Sequence, residues 1–310
     1  MSAFVPTTSP ISDAKPTDTR ALTLHREVLL ATDASTAASA ATRVVAALTA
    51  RWSTTPHVCT VIPSPPTVID PIGATLVYAP SIAEELQHGV TEQLASCCSE
   101  TSGWSRETAA GVPASEIVRI ADARGSDLIV LGLRAHALID RLFRDETALS
   151  VMRHASVPVL AVTPLLTRLP RRVAVAIDFS RASIAAARAA LTLLDDGGSL
   201  MLVYVEPPDE PRSPSAEGFT TIYTQGVAAA FARLRSELAS RTSARIETVV
   251  LRGGVAAELQ SFACRAEVDL LAVGSQRHSI ARQAVVGSVT SALARAATTS
   301  LFVIPPGRRA

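Results

Sequence analysis

The sequence predicts an α/β protein made of two repeated, doubly wound domains, each a parallel sheet flanked by helices. Three observations carry this. Strand-like and helix-like patterns alternate from start to finish, as βαβ units closing a parallel sheet require. One numerical offset lays much of the first half on the second. At 310 residues the chain is long enough for two domains, each burying its own core.

In the first half, short apolar runs at Val28–Ala31, Val58–Ile62, Asp127–Leu131 and Pro158–Val162 read as buried strands. Helical stretches lie between them at Ser35–Trp52, Ser81–Ser99, Pro113–Arg124 and Asp145–His154. A third strand falls near Arg106–Ala110, where the pattern is short and polar. The second half repeats the order, with strands at Val173–Ile177, Leu200–Val205, Ile246–Leu251, Asp269–Val273 and Leu301–Ile304. Its longest helix, Thr221–Arg241, sets Tyr223, Val227, Phe231, Leu234 and Leu238 on one stripe and leaves Arg233, Arg235 and Glu237 outside, which reads as core packing.

Adding 142 to the first-half numbers lays Gly111 on Gly253, Glu116 on Glu258, Asp127–Gly132 on Asp269–Gly274 and Val159 on Leu301. A duplicated unit explains a register shared by four elements, with the boundary expected in Pro164–Pro170, where prolines flank a short polar stretch. A lone continuous sheet would contradict it. Both copies also open alike, with an apolar strand ending in Asp33 or Asp178 and a helix start at Ser35 or Ser180, each placed to cap the first turn. Each aspartate has two readings, a carboxylate that orders the turn or a ligand contact at the mouth of the sheet, where open α/β sheets bind their ligands.

Composition excludes several functions. The net charge of +1 gives no field for nucleic acid, and 4% aromatic residues are too few for base-stacking platforms. No apolar run approaches the roughly 20 residues of a membrane span, and the stretch before Arg26 holds Pro6, Pro10 and Pro16 in place of a signal-peptide core. A cytoplasmic protein with a disordered arm at 1–25 is expected. Cys59, Cys97, Cys98 and Cys264 form no CxxC, and none of the six histidines pairs at ligand spacing, so no metal site is expected. His278, four residues beyond Gly274, is the one histidine near a motif. Asp195–Gly198 reads as a helix end and turn, and Pro207–Pro214 as a loop that either covers the second site or only spans its neighbours.

On these residues the chain resembles the universal stress protein family from Arg26 to Pro306. The carriers are the strand–Asp–x–Ser openings, Gly111-Val-Pro113 and Gly253-Gly-Val255 leading into helices, the Asp-Leu-Ile/Leu strands ending in glycine, and the closing His154–Val162. The resemblance implies a five-stranded parallel sheet in each domain, of the adenine nucleotide alpha hydrolase type, with the domains at 26–165 and 171–306 pairing through their last strands. It further implies a regulatory role in the stress response, with no bond-making active site.

ATP-binding members carry G-x-x-G, nine residues, then G-[ST]. Glycine lets a backbone approach phosphate, and a helix N-terminus offers it unpaired amides. The second copy reads Gly274-Ser-Gln-Arg277, nine residues, then Gly287-Ser288-Val289-Thr290, with Arg277 in place of the second glycine. Its side chain either crowds the loop or compensates as a guanidinium beside phosphate. The resemblance thus implies a site made of Asp178, Val205, Gly274, Arg277, Gly287, Ser288, Val289 and Thr290 for ATP, with magnesium carried on the polyphosphate. In the first copy Asp145 and Glu146 replace the glycine and hydroxyl; they suit the helix dipole and repel a polyphosphate, so that copy is expected to hold no ATP, with Gly132 keeping the turn.

The same residues also admit a nucleotide-free interaction module acting through its pseudo-dimer surface. An ATP pyrophosphatase or nucleotidyl transferase would need a glycine- and serine-rich loop or paired histidines after the first strand, where this chain has Asp33-Ala-Ser-Thr and Asp178-Phe-Ser-Arg. Slow ATP hydrolysis stays open, although no general base stands out by spacing. The tandem copies can satisfy each other's edges as a monomer, and a homodimer is compatible with that.

Overall fold

The structure, a computed structural model, describes residues 27–63, 80–97, 101, 103–133, 145–206, 217–275, 287–296 and 298–305, with side chains at 80–82, 145–146 and 217–224 outside the description. The expected arm at 1–25, the loop Pro207–Pro214, Arg277 and His278 lie outside the described residues.

The first half runs β1 (Val28–Ala31), α1 (Thr36–Trp52), β2 (His57–Pro63), α2 (Pro80–Cys97), β3 (Ser105–Gly111), α3 (Pro113–Arg124), β4 (Leu128–Gly132), α4 (Asp145–His154) and β5 (Val159–Val162). The second runs β6 (Arg172–Ala176), α5 (Arg181–Leu193), β7 (Ser199–Glu206), α6 (Glu217–Ala239), β8 (Arg245–Arg252), α7 (Val255–Arg265), β9 (Leu270–Gly274), α8 (Ser288–Arg295) and β10 (Ser300–Ile304). The strands form one sheet of ten in the order β3-β2-β1-β4-β5-β10-β9-β6-β7-β8.

That sheet is continuous, the outcome set above against duplication, yet its topology is duplicated. Counted from the centre outward, each half has its fifth, fourth, first, second and third strand in the same succession. All pairs within a half are parallel, and β10 meets β5 antiparallel, with Leu301 opposite Ala161, Phe302 opposite Leu160 and Val303 opposite Val159. A reversal of direction at one seam is what two paired units produce. Joining the last strands removes two sheet edges, and β5 and β10 are accordingly buried along their whole length.

Among the described residues the outer strands β3 and β8 have no further strand beside them, and this accounts for the polar third strand of the first copy. Only every second side chain of an edge strand meets the core, so Arg106, Thr108 and Ala110 face water while β3 still pairs with β2 from Ser105 to Gly111. Charges on both edges, Arg106 and Glu107 on β3 and Arg245, Glu247 and Arg252 on β8, discourage pairing with further strands.

Each face of the sheet carries one core that crosses the seam. On one face α1 and α5 supply Val44, Val45, Leu48, Ala186, Ala190 and Leu193, with Phe231, Leu234 and Leu238 from α6. Val227, Phe231, Leu234 and Leu238 of the expected stripe thus pack inward, the Tyr223 side chain lying outside the description, while Glu237, expected outside, is half-buried and accepts from Arg188 Nε at 2.7 Å. On the other face α3, α4, α7 and α8 supply Ile117, Ile120, Met152, Leu259 and Leu293. The Pro164–Pro170 stretch, expected as polar, is anchored: Leu166 is buried in the first core, and Pro170 O accepts from Asp195 N at 2.8 Å. No helix among the described residues is long and apolar enough to cross a membrane.

Candidate ligand site in the second copy

The site lies where β6 and β9 end and α5 and α8 begin, between the two strands of each half whose helices leave on opposite faces of the sheet. Strand β6 stops at Ala176, and the chain turns sharply through Phe179, whose φ is 60°. Asp178 Oδ1 accepts from Ser180 N at 2.9 Å, and Ser180 Oγ accepts from Ser183 N at 3.2 Å, capping α5. The first copy repeats this, with Asp33 Oδ1 accepting from Ser35 N at 3.0 Å and φ 60° at Ala34. Both aspartates therefore order the turn. Burial works to raise the Asp178 carboxyl, but hydrogen bonds from the Ser180 and Ser183 hydroxyls and the Ser180 amide together outweigh it and hold the group below the ordinary carboxylate range. It is an anion at neutral pH.

Gly274 ends β9 with no left-handed φ. A Cβ on it would lie 2.3 Å from Ala182 C and 2.6 Å from Ser183 N. The glycine is required because the first turn of α5 rests on the strand end, and Gly132 stands in the same relation to Ala37 C at 2.7 Å. This corrects the expectation that Gly132 keeps a turn. Gly287 is different: as N-cap of α8 it has no side-chain cap, and a Cβ there would meet nothing within 4 Å among the described residues.

Beyond Gly287, Ser288 is exposed, Val289 packs against the core of that face, and Thr290 is buried, 3% exposed. Val205 is buried too, so its side chain belongs to the core; it lies on the rim because β7 runs past the last residue of β6, whose pairing stops at Ala176 with Val203. Asp145 and Glu146 are the first two residues of α4, as expected. The structure brings Asp178, Gly274, Gly287, Ser288, Val289 and Thr290 to one end of the sheet, with Arg277 outside the described residues.

Ser275 is a residue that motif reading missed. It is 4% exposed, held by its amide to Ile304 O at 2.8 Å, and neither its hydroxyl nor that of Thr290 makes a hydrogen bond among the described residues. Under the offset of 142 their counterparts are Leu133 and Ala148, both buried and apolar. The second copy therefore has two buried hydroxyls without a partner among the described residues where the first has only hydrocarbon, and the offset already contained that signal. The opposite holds at the flank of the site. There the first copy buries a polar network, Thr32 Oγ1 to Gln93 Oε1 at 2.5 Å and Gln93 Nε2 to Ser39 Oγ at 2.9 Å. The second has Phe179 packed on Tyr204 and edge-on to Phe231, with ring centres 5.5 and 5.1 Å apart. Among the described residues no group of three or more His, Cys, Asp or Glu could hold a metal ion.

The model of the universal stress protein family matches residues 25–163 and again 170–305. Among solved structures, a universal stress protein from Archaeoglobus fulgidus DSM 4304 aligns at TM-score 0.63 and 19% identity, over 91% of this chain and 98% of that one. A putative universal stress protein from Pseudomonas aeruginosa UCBPP-PA14 aligns at TM-score 0.57 and 14% identity, over 92% and 95%. At these identities the likeness is one of fold. No curated protein matches the chain.

Proposed function

Because the chain belongs to the universal stress protein family, on two matches that together span most of its length, we propose that it is a stress-response regulatory protein whose second copy binds ATP, without turning it over as an enzyme. The observation that carries this is the pair of buried hydroxyls Ser275 and Thr290, which make no hydrogen bond among the described residues, set against Leu133 and Ala148 in the first copy. A buried hydroxyl without a partner costs about 1–3 kcal/mol, so two that find none among the described residues, at neighbouring elements of one copy alone, favour a polar occupant.

The residues fit a nucleotide. The first turn of α8 presents amide groups that no helical carbonyl can satisfy, next to a glycine around which a phosphate meets no Cβ. Ser288 and Thr290 add hydroxyls, Asp178 offers an acceptor for ribose hydroxyls, and the Val205 rim is where an apolar base edge would lie. Bound ATP would bring magnesium on its phosphates. In the first copy the carboxylates of Asp145 and Glu146 stand in sequence where Gly287 and Ser288 stand here, which favours a site in the second copy only.

Equilibrium dialysis with labelled ATP and magnesium tests the reading. One saturable site is expected in the native chain and none in Gly287→Asp, a change that supplies a good N-cap where no described atom crowds the new Cβ and that repels phosphate. Absence of saturable binding in the native chain would leave the nucleotide-free interaction module, for which the motif glycines are kept for packing alone.

A further inference from the structure

Residues that correspond between the two copies meet each other where the halves join. Val159 pairs with Ile129 and Leu301 with Leu271, so β5 and β10 superpose under the offset of 142 and Leu160 is the counterpart of Phe302. These two are cross-strand partners, 1% and 0% exposed and in one core cluster. They sit on the axis that relates the copies. Beside it the ends of two helices meet: α1 and α5 start alike, with N-caps Ser35 and Ser180, but α1 runs to Trp52 while α5 ends at Leu193, so Arg51 is helical and Asp196 lies in the turn after α5. Arg51 Nη2 lies 2.9 Å from Asp196 Oδ1, and Arg51 Nη1 donates to Leu194 O at 2.6 Å.

A third contact is one-sided. Thr163 N donates to Ser300 Oγ at 3.0 Å and the two hydroxyls are 3.1 Å apart, all of it buried. The counterparts of Thr163 and Ser300 are Pro305 and Pro158. Proline has neither an amide hydrogen nor a hydroxyl, so the matching bond on the other side of the axis has no donor.

In a true two-fold dimer a residue on the axis meets its own copy. Like copies joined along this edge would set Phe on Phe or Leu on Leu in a closed core, and neither would bring an Arg51 against an Asp196. We propose that the β5–β10 seam is specific for one first copy against one second copy, through Leu160–Phe302, Arg51–Asp196 and Thr163–Ser300. A Phe pair overfills the space that a Leu–Phe pair fills, and a Leu pair leaves part of it empty. The ion pair is largely exposed, at 35% and 95%, so it adds less than the core pair. The partner this edge accepts is a complementary half, supplied by the same chain or by exchange from a second one. A like half is rejected.

Swapping the partners tests this in the full-length chain, with urea unfolding as the readout. Leu160→Phe and Phe302→Leu are each expected to lower the folded-to-unfolded ratio roughly ten-fold or more, and the chain carrying both changes to regain most of that loss. Arg51→Asp and Asp196→Arg are expected to show the same pattern at about two- to five-fold and to lose it in high salt. The charge series stays readable if Leu160→Phe does not fold, and Ser300→Ala removes the one-sided bond without altering the core, at an expected loss of several-fold. A double swap that costs as much as its two single changes added together would overturn the proposal, as would single changes without cost in both series.

Discussion

The Cβ that Gly274 lacks would stand 2.3 Å from the carbonyl carbon of Ala182, inside the first turn of α5. No side chain can occupy that place unless the strand end and the helix separate. Gly274→Ala is therefore expected to destabilise the fold by about 1–3 kcal/mol, and Gly132→Ala, against Ala37 at 2.7 Å, to do the same in the first copy. Urea unfolding of both variants checks this. A stable Gly274→Ala protein that had lost only nucleotide affinity would show the glycine to belong to the ligand site alone.

Thr290→Val replaces a buried hydroxyl by a methyl of similar shape. With no hydrogen bond to lose among the described residues, the variant is expected to be at least as stable as the native chain, by up to about 1–3 kcal/mol, and to bind ATP more weakly. Thermal unfolding and dialysis on the same sample read both. Lower stability would mean that the hydroxyl already has a protein partner.

Much of this was legible in the residues. The shared register from Gly111 to Val159 gave the duplication and the order of strands, because a copied unit keeps its spacing even where its side chains drift. The turn at Asp178 was one of two readings open in the sequence, since an aspartate two residues before a capping serine has a local partner. Three features were not. The need for glycine at 274 depends on how closely α5 approaches, which no spacing reveals. The burial of Thr290 follows from which side of the short helix α8 faces the sheet. Leu166 looked like part of a polar connector, and only its docking in the core shows that the join between the halves is packed.

His57 gives the stability a pH dependence. It is 4% exposed at the start of β2, with Nδ1 2.7 Å from Ser105 Oγ and Nε2 3.2 Å from Glu107 Oε2. Burial and the nearby Arg124 guanidinium lower its pKa, and the Glu107 and Glu27 carboxylates only partly offset them. With the folded value below the ordinary 6.5, the unfolded chain binds the extra proton. The contribution is whole above about pH 6.5 and is lost as pH falls toward the folded value. The urea midpoint is expected to drop between pH 7 and 5, and to drop less in His57→Gln; an equal drop would assign the dependence to other groups.

Thiol reactivity is expected to divide by burial. Cys59 is 1% exposed, and its thiol is pushed up to about 12, chiefly by burial and then by the Glu107 and Glu116 carboxylates. Cys264 lies on an exposed face of α7. Iodoacetamide at pH 8 is expected to alkylate Cys264 in the folded chain and to spare Cys59 until urea is added, as read by peptide mass. Alkylation of both at equal rates would contradict the packing of β2.

Only one of the two copies is held here to bind a nucleotide, and crystals grown with ATP and magnesium decide that most directly. Density for one nucleotide between Asp178, Gly287 and Thr290, with none at the corresponding end of the first copy, is the predicted result. Density lodged against Asp145 and Glu146, or none at either end, would contradict it.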